Sequence, residues 1–198
     1  MSRSPKIGVL GVQGDVSEHM AAVERAGGTA RKIKHPDEMT DVAGLILPGG
    51  ESTTHRQLLD YEDLLSAITD RYRDGMAVFG TCAGAILLAT EVHGAPTPHL
   101  SLIDITVRRN AFGRQRESFV TDLDVVGLAG GPLRAVFIRA PIIERVGPGI
   151  NVLATVDGEI VLAESDRALV AAFHPELTAD DRLHRRFLEK TIAAEVAS

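Results

Sequence analysis

The residues whose type and spacing could do chemistry begin with the single cysteine of the chain. Cys82 sits in Gly80-Thr81-Cys82-Ala83-Gly84, after the apolar run Met76 to Phe79 and before the apolar run Ala85 to Ala89. Gly-x-Cys-x-Gly between a strand and a helix is the cysteine form of a nucleophile elbow. The glycines let a sharp, strained turn pass close to its neighbours. The turn exposes the sulfur. The helix start brings backbone N–H groups and a partial positive charge beside it, which favours the thiolate. A lone intracellular cysteine is ordinarily a small buried hydrophobe. The glycine bracket and the strand-turn-helix setting are what make Cys82 a candidate nucleophile.

Such a cysteine needs a base, and the base needs an orienting group. Phe173-His174-Pro175-Glu176 is the candidate source. The run Ala168 to Phe173 reads as a buried strand, so His174 and Glu176 emerge at a strand end. Two residues apart in extended chain, they point to the same side. Glu176 can then accept from one imidazole nitrogen while the other faces Cys82. The carboxylate fixes the tautomer and steadies the imidazolium, as the third member of a triad does. Without Cys82 the same residues would read equally well as a histidine at a helix start and an exposed glutamate.

The elements that must position these groups follow from periodicity. Lys6 to Gly11 reads as a short buried strand, Thr29 to Ile33 and Val42 to Leu47 as a second and third short strand, and Met76 to Phe79 as the strand into the elbow. Helices are expected from Val16 to Ala26, with Asp15 as cap and Gly27-Gly28 as stop, from near Ser52 or Thr53, and from Tyr61 to Arg73. Strands alternating with helices at this spacing indicate a parallel sheet covered on both faces, a three-layer flavodoxin-like α/β fold. Ligands bind such sheets beyond the C-terminal ends of the strands. Gln13, Gly49-Gly50 and Cys82 all follow strands, so they converge on one rim. After Glu91 the texture becomes β-rich, with short runs at Ile103 to Val107, Ser118 to Val125, Ala135 to Ile138, Ile150 to Val156, Glu159 to Glu164 and Ala168 to Ala172. Additional antiparallel strands are expected there. Val156-Asp157-Gly158-Glu159 is a hairpin signal. The last helix is expected from Ala179 to Ala197, with Thr178 and Asp181 as a capping box. No repeat or linker divides residues 1–198, which are expected to form one domain.

Composition removes several functions. A net charge of −6 argues against a nucleic-acid surface. One cysteine excludes an internal disulfide, and no Cys/His pattern suggests a metal. Gly8, Gly11 and Gly14 lack the spacing of a dinucleotide loop, and Gly127 to Gly131 is not followed by the Lys-Ser/Thr of a P-loop. No cofactor is implied. No apolar run is long enough for a signal peptide or a membrane span, so a cytoplasmic protein is expected.

Taken together, the blocks Gly11-Val12-Gln13-Gly14, Pro48-Gly49-Gly50-Glu51-Ser52-Thr53, Gly80-Thr81-Cys82-Ala83-Gly84, Arg109-Asn110-Ala111-Phe112-Gly113-Arg114-Gln115, Phe137-Ile138-Arg139-Ala140-Pro141 and Phe173-His174-Pro175-Glu176-Leu177 resemble the class I, triad-type glutamine amidotransferases. The match is closer still to one branch, the PdxT-type glutaminase subunits of pyridoxal 5'-phosphate synthase, and extends from about Lys6 to Leu188. The elbow and His-x-Glu identify only the superfamily. The first, fourth and fifth blocks single out the branch. The resemblance implies that Cys82 attacks the side-chain amide of L-glutamine, that His174 moves the protons and that Glu176 orients His174. It implies that Gly49, Gly50, Glu51, Arg109, Ile138 and Arg139 bind glutamine. It places Gln13 and Gly14 at or near a PdxS-type synthase subunit, which takes the ammonia and builds pyridoxal phosphate from a pentose phosphate and a triose phosphate. Residue logic adds the backbone N–H groups of Ala83 and of Gly49-Gly50, chiefly Gly50, as oxyanion-hole candidates. Ala85 and Ser101 depart from the family pattern without touching a catalytic position. Other cysteine hydrolases with an elbow on a flavodoxin-like sheet would leave His174-Pro175-Glu176 and Pro48-Gly49-Gly50 unexplained. An inactive scaffold of the same fold would be expected to lack one of the three. A glutaminase serving another synthase, such as imidazole glycerol phosphate synthase, is the alternative within the superfamily.

Overall fold

The computed structural model describes residues 4–12, 14–50, 63–94, 100–109 and 118–197, with residues 195–197 by their backbone alone. Gln13, Glu51, the helix expected near Ser52, and Asn110 to Gln115 lie outside the described residues. In chain order the elements are β1 (Lys6–Leu10), α1 (Val16–Arg25), β2 (Thr29–Ile33), β3 (Gly44–Leu47), α2 (Leu64–Arg73), β4 (Ala77–Thr81), α3 (Ala83–Leu88), β5 (Ala89–Val92) and β6 (Ile103–Arg108). They continue with β7 (Ser118–Leu123), β8 (Leu133–Ile138), β9 (Ile142–Val146), β10 (Asn151–Val156), β11 (Glu159–Glu164), β12 (Ala168–Ala171) and α4 (Arg182–Ala197). Short 3-10 turns cover Pro36–Met39 and Pro175–Leu177.

The main sheet runs β2-β1-β3-β4-β12-β11-β9-β6-β5, with β10 folded onto β11. From β2 to β12 every pair is parallel. From β12 to β6 every pair is antiparallel. The expected mostly parallel sheet with an antiparallel second half is therefore what forms. A separate antiparallel ribbon, β7 with β8, packs against it.

Strand pleating explains why the central strands read as unbroken apolar runs. Ile7, Val9, Ile46, Phe79, Leu169 and Ala171 face one side, where Val23 of α1 and Leu183, Phe187 and Leu188 of α4 cover them. Leu10, Leu45, Leu47, Val78 and Val170 face the other, covered by Leu64 and Ile68 of α2 and by α3. A strand buried on both faces cannot alternate apolar with polar. Gly44 is needed where α4 crosses the sheet, because a Cβ there would come within 2.6 Å of Thr191 and 2.8 Å of Phe187. At the expected hairpin, Asp157 and Gly158 both take positive φ, 52° and 84°, as a type I′ turn between β10 and β11 requires.

Several local expectations are corrected. Helix α4 starts at Arg182, because Asp180 Oδ1 accepts from the Arg182 N–H at 3.1 Å and Thr178 Oγ1 from the Asp180 N–H at 3.2 Å. No Thr178–Asp181 capping box forms; Asp181 pairs with Arg25 instead. Asp15 precedes α1 but makes no side-chain cap. Strands β5 and β9 were not expected. In β9, Glu144 and Arg145 sit mid-strand and pair across to Arg108 and Asp104, so ion pairs replace the apolar alternation that marks a strand. Among the described residues, no helix is long and apolar enough to cross a membrane.

Candidate active site

Strands β4 and β12 lie side by side in parallel, with Thr81 opposite Ala171. Both end at the same rim. The Cys82 N–H donates to the Ala171 carbonyl at 2.8 Å, which ties the elbow to the end of β12. Cys82 itself takes φ 47° and ψ −106°, a conformation that costs a non-glycine residue roughly 1–3 kcal/mol. Its surroundings hold it there. A Cβ on Gly84 would collide with the Leu47 carbonyl oxygen, and one on Gly80 would lie 2.6 Å from the Gly84 backbone. The glycine bracket is therefore a steric demand of packing β3, β4 and α3 this closely. The Cys82 carbonyl accepts from Ala85 N–H at 3.1 Å, which starts α3 immediately behind the sulfur.

His174 follows β12 three residues past its last paired residue, Ala171. Its backbone N–H donates to the Val136 carbonyl of β8 at 2.8 Å, so the β7–β8 ribbon fixes where the imidazole begins. Its Nδ1 lies 2.8 Å from Glu176 Oε1. The Cys82 side chain lies beside the ring, near enough to act on its proton affinity. Cys82, His174 and Glu176 are 8%, 5% and 4% exposed, so the line of three is nearly dry but open at the sulfur end. The Cys82 sulfur also approaches the Ile138 carbonyl at 3.9 Å.

Burial alone would depress the His174 imidazolium. Hydrogen bonds to Cys82 and Glu176, with their charges, overcome this and raise it from 6.5 to about 10. Burial raises the Glu176 carboxyl, and the bond to His174 opposes that rise only in part. The two shifts pull against each other, since His174 rises through a charged Glu176. The imidazole is the more basic member of the pair, so the proton stays on His174 and Glu176 accepts it. Asp15 Oδ2 lies 3.6 Å from His174 Nδ1 and adds a second carboxylate. Asp15, His174 and Glu176 are grouped closely enough to ligate a cation. His174 Nδ1 would have to give up the proton that Glu176 accepts, so the donor set reads as proton-holding.

Gly49 closes the site from β3. A Cβ on Gly49 would run into the His174 ring and lie 3.4 Å from Cys82 Cβ. Gly14, with φ 96°, packs on Gly49 so tightly that a Cβ there would strike the Gly49 carbonyl oxygen. Gly50 is exposed, with φ 134°, and Ala83 is the first residue of α3. Ile138 and Arg139 follow at the end of β8, both exposed, Arg139 with φ 45°. Arg109 is exposed just past β6, with β12, β11 and β9 between β6 and β4. Among the described residues nothing bonds Arg109 to Cys82, His174 or Glu176. Sequence reasoning missed Asp15, Thr81, His19 and His184, which surround Glu176 and His174 from behind. Only His19 had a local signal: with Ala22 and Val23 it forms the buried face of α1 at helical spacing.

A family model described as the SNO glutamine amidotransferase family matches residues 9–193. The pyridoxal 5'-phosphate synthase subunit PdxT of Nocardia farcinica is 53% identical over 197 residues, covering 96% of this chain and 87% of its own. That of Streptomyces coelicolor is 48% identical over 199 residues, covering 100% and 98%. A crystal structure of a glutamine amidotransferase superposes with a TM-score of 0.88 at 46% identity, covering 93% and 98%. A glutamine amidotransferase from Thermotoga maritima, at 14% identity and a TM-score of 0.63 over 100% and 96%, shares the fold.

Proposed function

Because the chain belongs to the SNO glutamine amidotransferase family, we propose that it is the glutaminase subunit of a pyridoxal 5'-phosphate synthase and that Cys82, His174 and Glu176 are its catalytic triad. The whole chain then works as one glutaminase domain. The observation that carries this reading is that the strained, single cysteine and His174 meet beside Gly49 at one rim, with His174 bonded to the buried Glu176 at 2.8 Å.

In this mechanism the Cys82 sulfur attacks the side-chain amide carbon of L-glutamine. The developing oxyanion is met by the Ala83 N–H and by an N–H of Gly49-Gly50, donors worth about 3–4 kcal/mol in a transition state. The His174 imidazolium gives its proton to the amide nitrogen as the C–N bond breaks, and ammonia leaves a glutamyl thioester. His174 then takes a proton from water, which attacks the thioester and releases glutamate and the thiolate. Glu176 holds the ring through Nδ1 across both steps. The α-carboxylate and α-ammonium of glutamine need N–H or Arg donors and a carboxylate or carbonyl acceptor. Gly49, Gly50, Glu51, Arg109, Ile138 and Arg139 are the residues proposed to supply them.

The ammonia passes to a PdxS-type synthase subunit. Gln13-Gly14 form the contact that senses it, and the packing of Gly14 on Gly49 supports this. Docking that moves Gly14 must move the Gly49-Gly50 peptide, which would complete the oxyanion hole only in the complex. The test is glutamine hydrolysis titrated with the synthase subunit. Weak activity alone and a saturable rise on titration are expected. Equal rates with and without saturating synthase would leave a stand-alone glutamine hydrolase.

A further inference from the structure

Behind Glu176 lies a buried group of polar side chains that the mechanism does not use. Glu176 Oε1 faces His174, and Oε2 points the other way, into a space with no solvent. Its neighbour there is His19 Nε2 at 3.3 Å, with both side chains fully buried, although Oε2 makes no well-aligned hydrogen bond among the described residues. His19 Nε2 also lies 3.1 Å from Thr81 Oγ1, the residue before the nucleophile. On its far side, His19 Nδ1 is 3.0 Å from His184 Nε2 of α4. His184 Nδ1 has no hydrogen-bond partner among the described residues. Phe79 packs edge-on against both imidazoles and fixes their planes.

That last unpartnered nitrogen decides where the protons are. Burial pushes both rings well below the ordinary histidine range, His184 to about 4, so each is neutral and carries one N–H. Two arrangements satisfy the His19–His184 bond. In one, His19 Nδ1–H donates to His184. His184 then carries its own proton on nothing, and a bare His19 lone pair faces the Glu176 carboxylate. In the other, His184 Nε2–H donates to His19 Nδ1, and His19 Nε2–H points at Thr81 and Glu176. Only acceptor lone pairs, at His184 Nδ1 and on Glu176 Oε2, are then left over, the latter facing the His19 N–H. Orphaned N–H donors in protein interiors are rarer than under-used acceptors, and a carboxylate oxygen facing a donor is favoured over one facing a lone pair.

We infer that His19 is a positioning residue: with its tautomer imposed by His184, it donates Nε2–H to Thr81 and holds the same Nε2 3.3 Å from Glu176 Oε2, and so steadies the carboxylate that aligns His174. This rests on the triad reading. His19 reaches His174 through Glu176 and reaches the elbow through Thr81, and it makes no hydrogen bond or ion pair to the proposed glutamine-binding residues among the described residues, so losing it should loosen the triad without touching glutamine.

The tests use the protein with saturating synthase subunit. His19→Phe keeps a flat ring and removes both nitrogens. It is expected to lower kcat about tenfold, the scale of leaving a buried polar group without its partner, with KM for glutamine within about twofold. His19→Gln restores an N–H near the Nε2 position and should recover most of the loss. If His19 only fills space, the order reverses, with Phe the better substitute, and the inference falls. Imidazole nitrogen–proton correlation spectra of the histidine-labelled, unsubstituted chain give a second readout that needs no variant. Protons on Nε2 of both His19 and His184 are expected; a proton on His19 Nδ1 overturns the assignment. Glu176→Gln measured alongside separates the layers. Loss there with a silent His19→Phe removes only this inference, whereas full activity in Glu176→Gln removes the triad reading with it.

Discussion

Glu176 presents its two oxygens to two different imidazoles, and the roles within the proposed triad follow from that asymmetry. In the proposed mechanism His174 carries protons to the leaving ammonia and from water, whereas Glu176 only holds and steadies it. His174→Asn should therefore lower glutamine turnover almost as far as losing Cys82. Glu176→Gln should keep more activity, because an amide can still accept from Nδ1. Steady-state rates of the two variants check the order, and a silent Glu176→Gln would reduce the triad to a dyad. The raised His174 also ties stability to pH. Its folded value of about 10 stands above the unfolded 6.5. The imidazolium thus contributes stability that is fully present below about pH 6.5 and is lost as pH rises through about 10. Thermal unfolding across that window should show the Tm advantage of the unsubstituted protein over His174→Asn shrinking towards pH 10. A constant advantage would mean that His174 is not held charged. The three triad members were legible because each sits in a short block whose neighbours serve it locally. His19, Thr81 and His184 were not, because their bonds span 62 and 165 residues of sequence and exist only once α1 and α4 pack on the same face of the sheet.

At the scale of elements, the elbow works because β3, β4 and α3 are closer than side chains allow. Gly84→Ala would drive a methyl into the Leu47 carbonyl oxygen. It should destabilise the fold by about 1–3 kcal/mol or more, the range for overpacking, and displace the sulfur. Urea unfolding and electrophile labelling of Cys82 measure the two effects separately. Phe187→Ala, on the far face, opens a cavity beneath α4. It should cost about 3–5 kcal/mol in the same unfolding experiment, and a loss under about 1 kcal/mol would contradict the packing described. The parallel half was readable because burial on both faces leaves unbroken apolar runs. Strands β5 and β9 were not. In β9 the mid-strand residues are an ion-paired Glu144 and Arg145, and β5 continues directly from the apolar run of α3, where period gives no boundary.

For the whole molecule, the sheet brings the ends of β1, β3, β4 and β12 to one rim, and Gly14, Gly49, Cys82 and His174 lie along it in contact. The Gly14–Gly49–His174 packing makes the proposed docking point and the proposed reaction centre neighbours in space though distant in sequence. Arg109 sits apart from this row, at the end of β6. If it reaches glutamine, Arg109→Ala should raise KM with little change in kcat; the reverse pattern would place it in positioning the neighbouring chain. The central claim is that Cys82 is the nucleophile of a glutamine-hydrolysing centre. The most direct measurement is the intact mass of the chain, with saturating synthase, after treatment with a glutamine-analogue electrophile, followed by peptide mapping. One adduct on Cys82, blocked by glutamine, is expected, together with no turnover in a folded Cys82→Ala variant. Glutamine hydrolysis that survives in Cys82→Ala, or an inactivating adduct at any other residue, would contradict it.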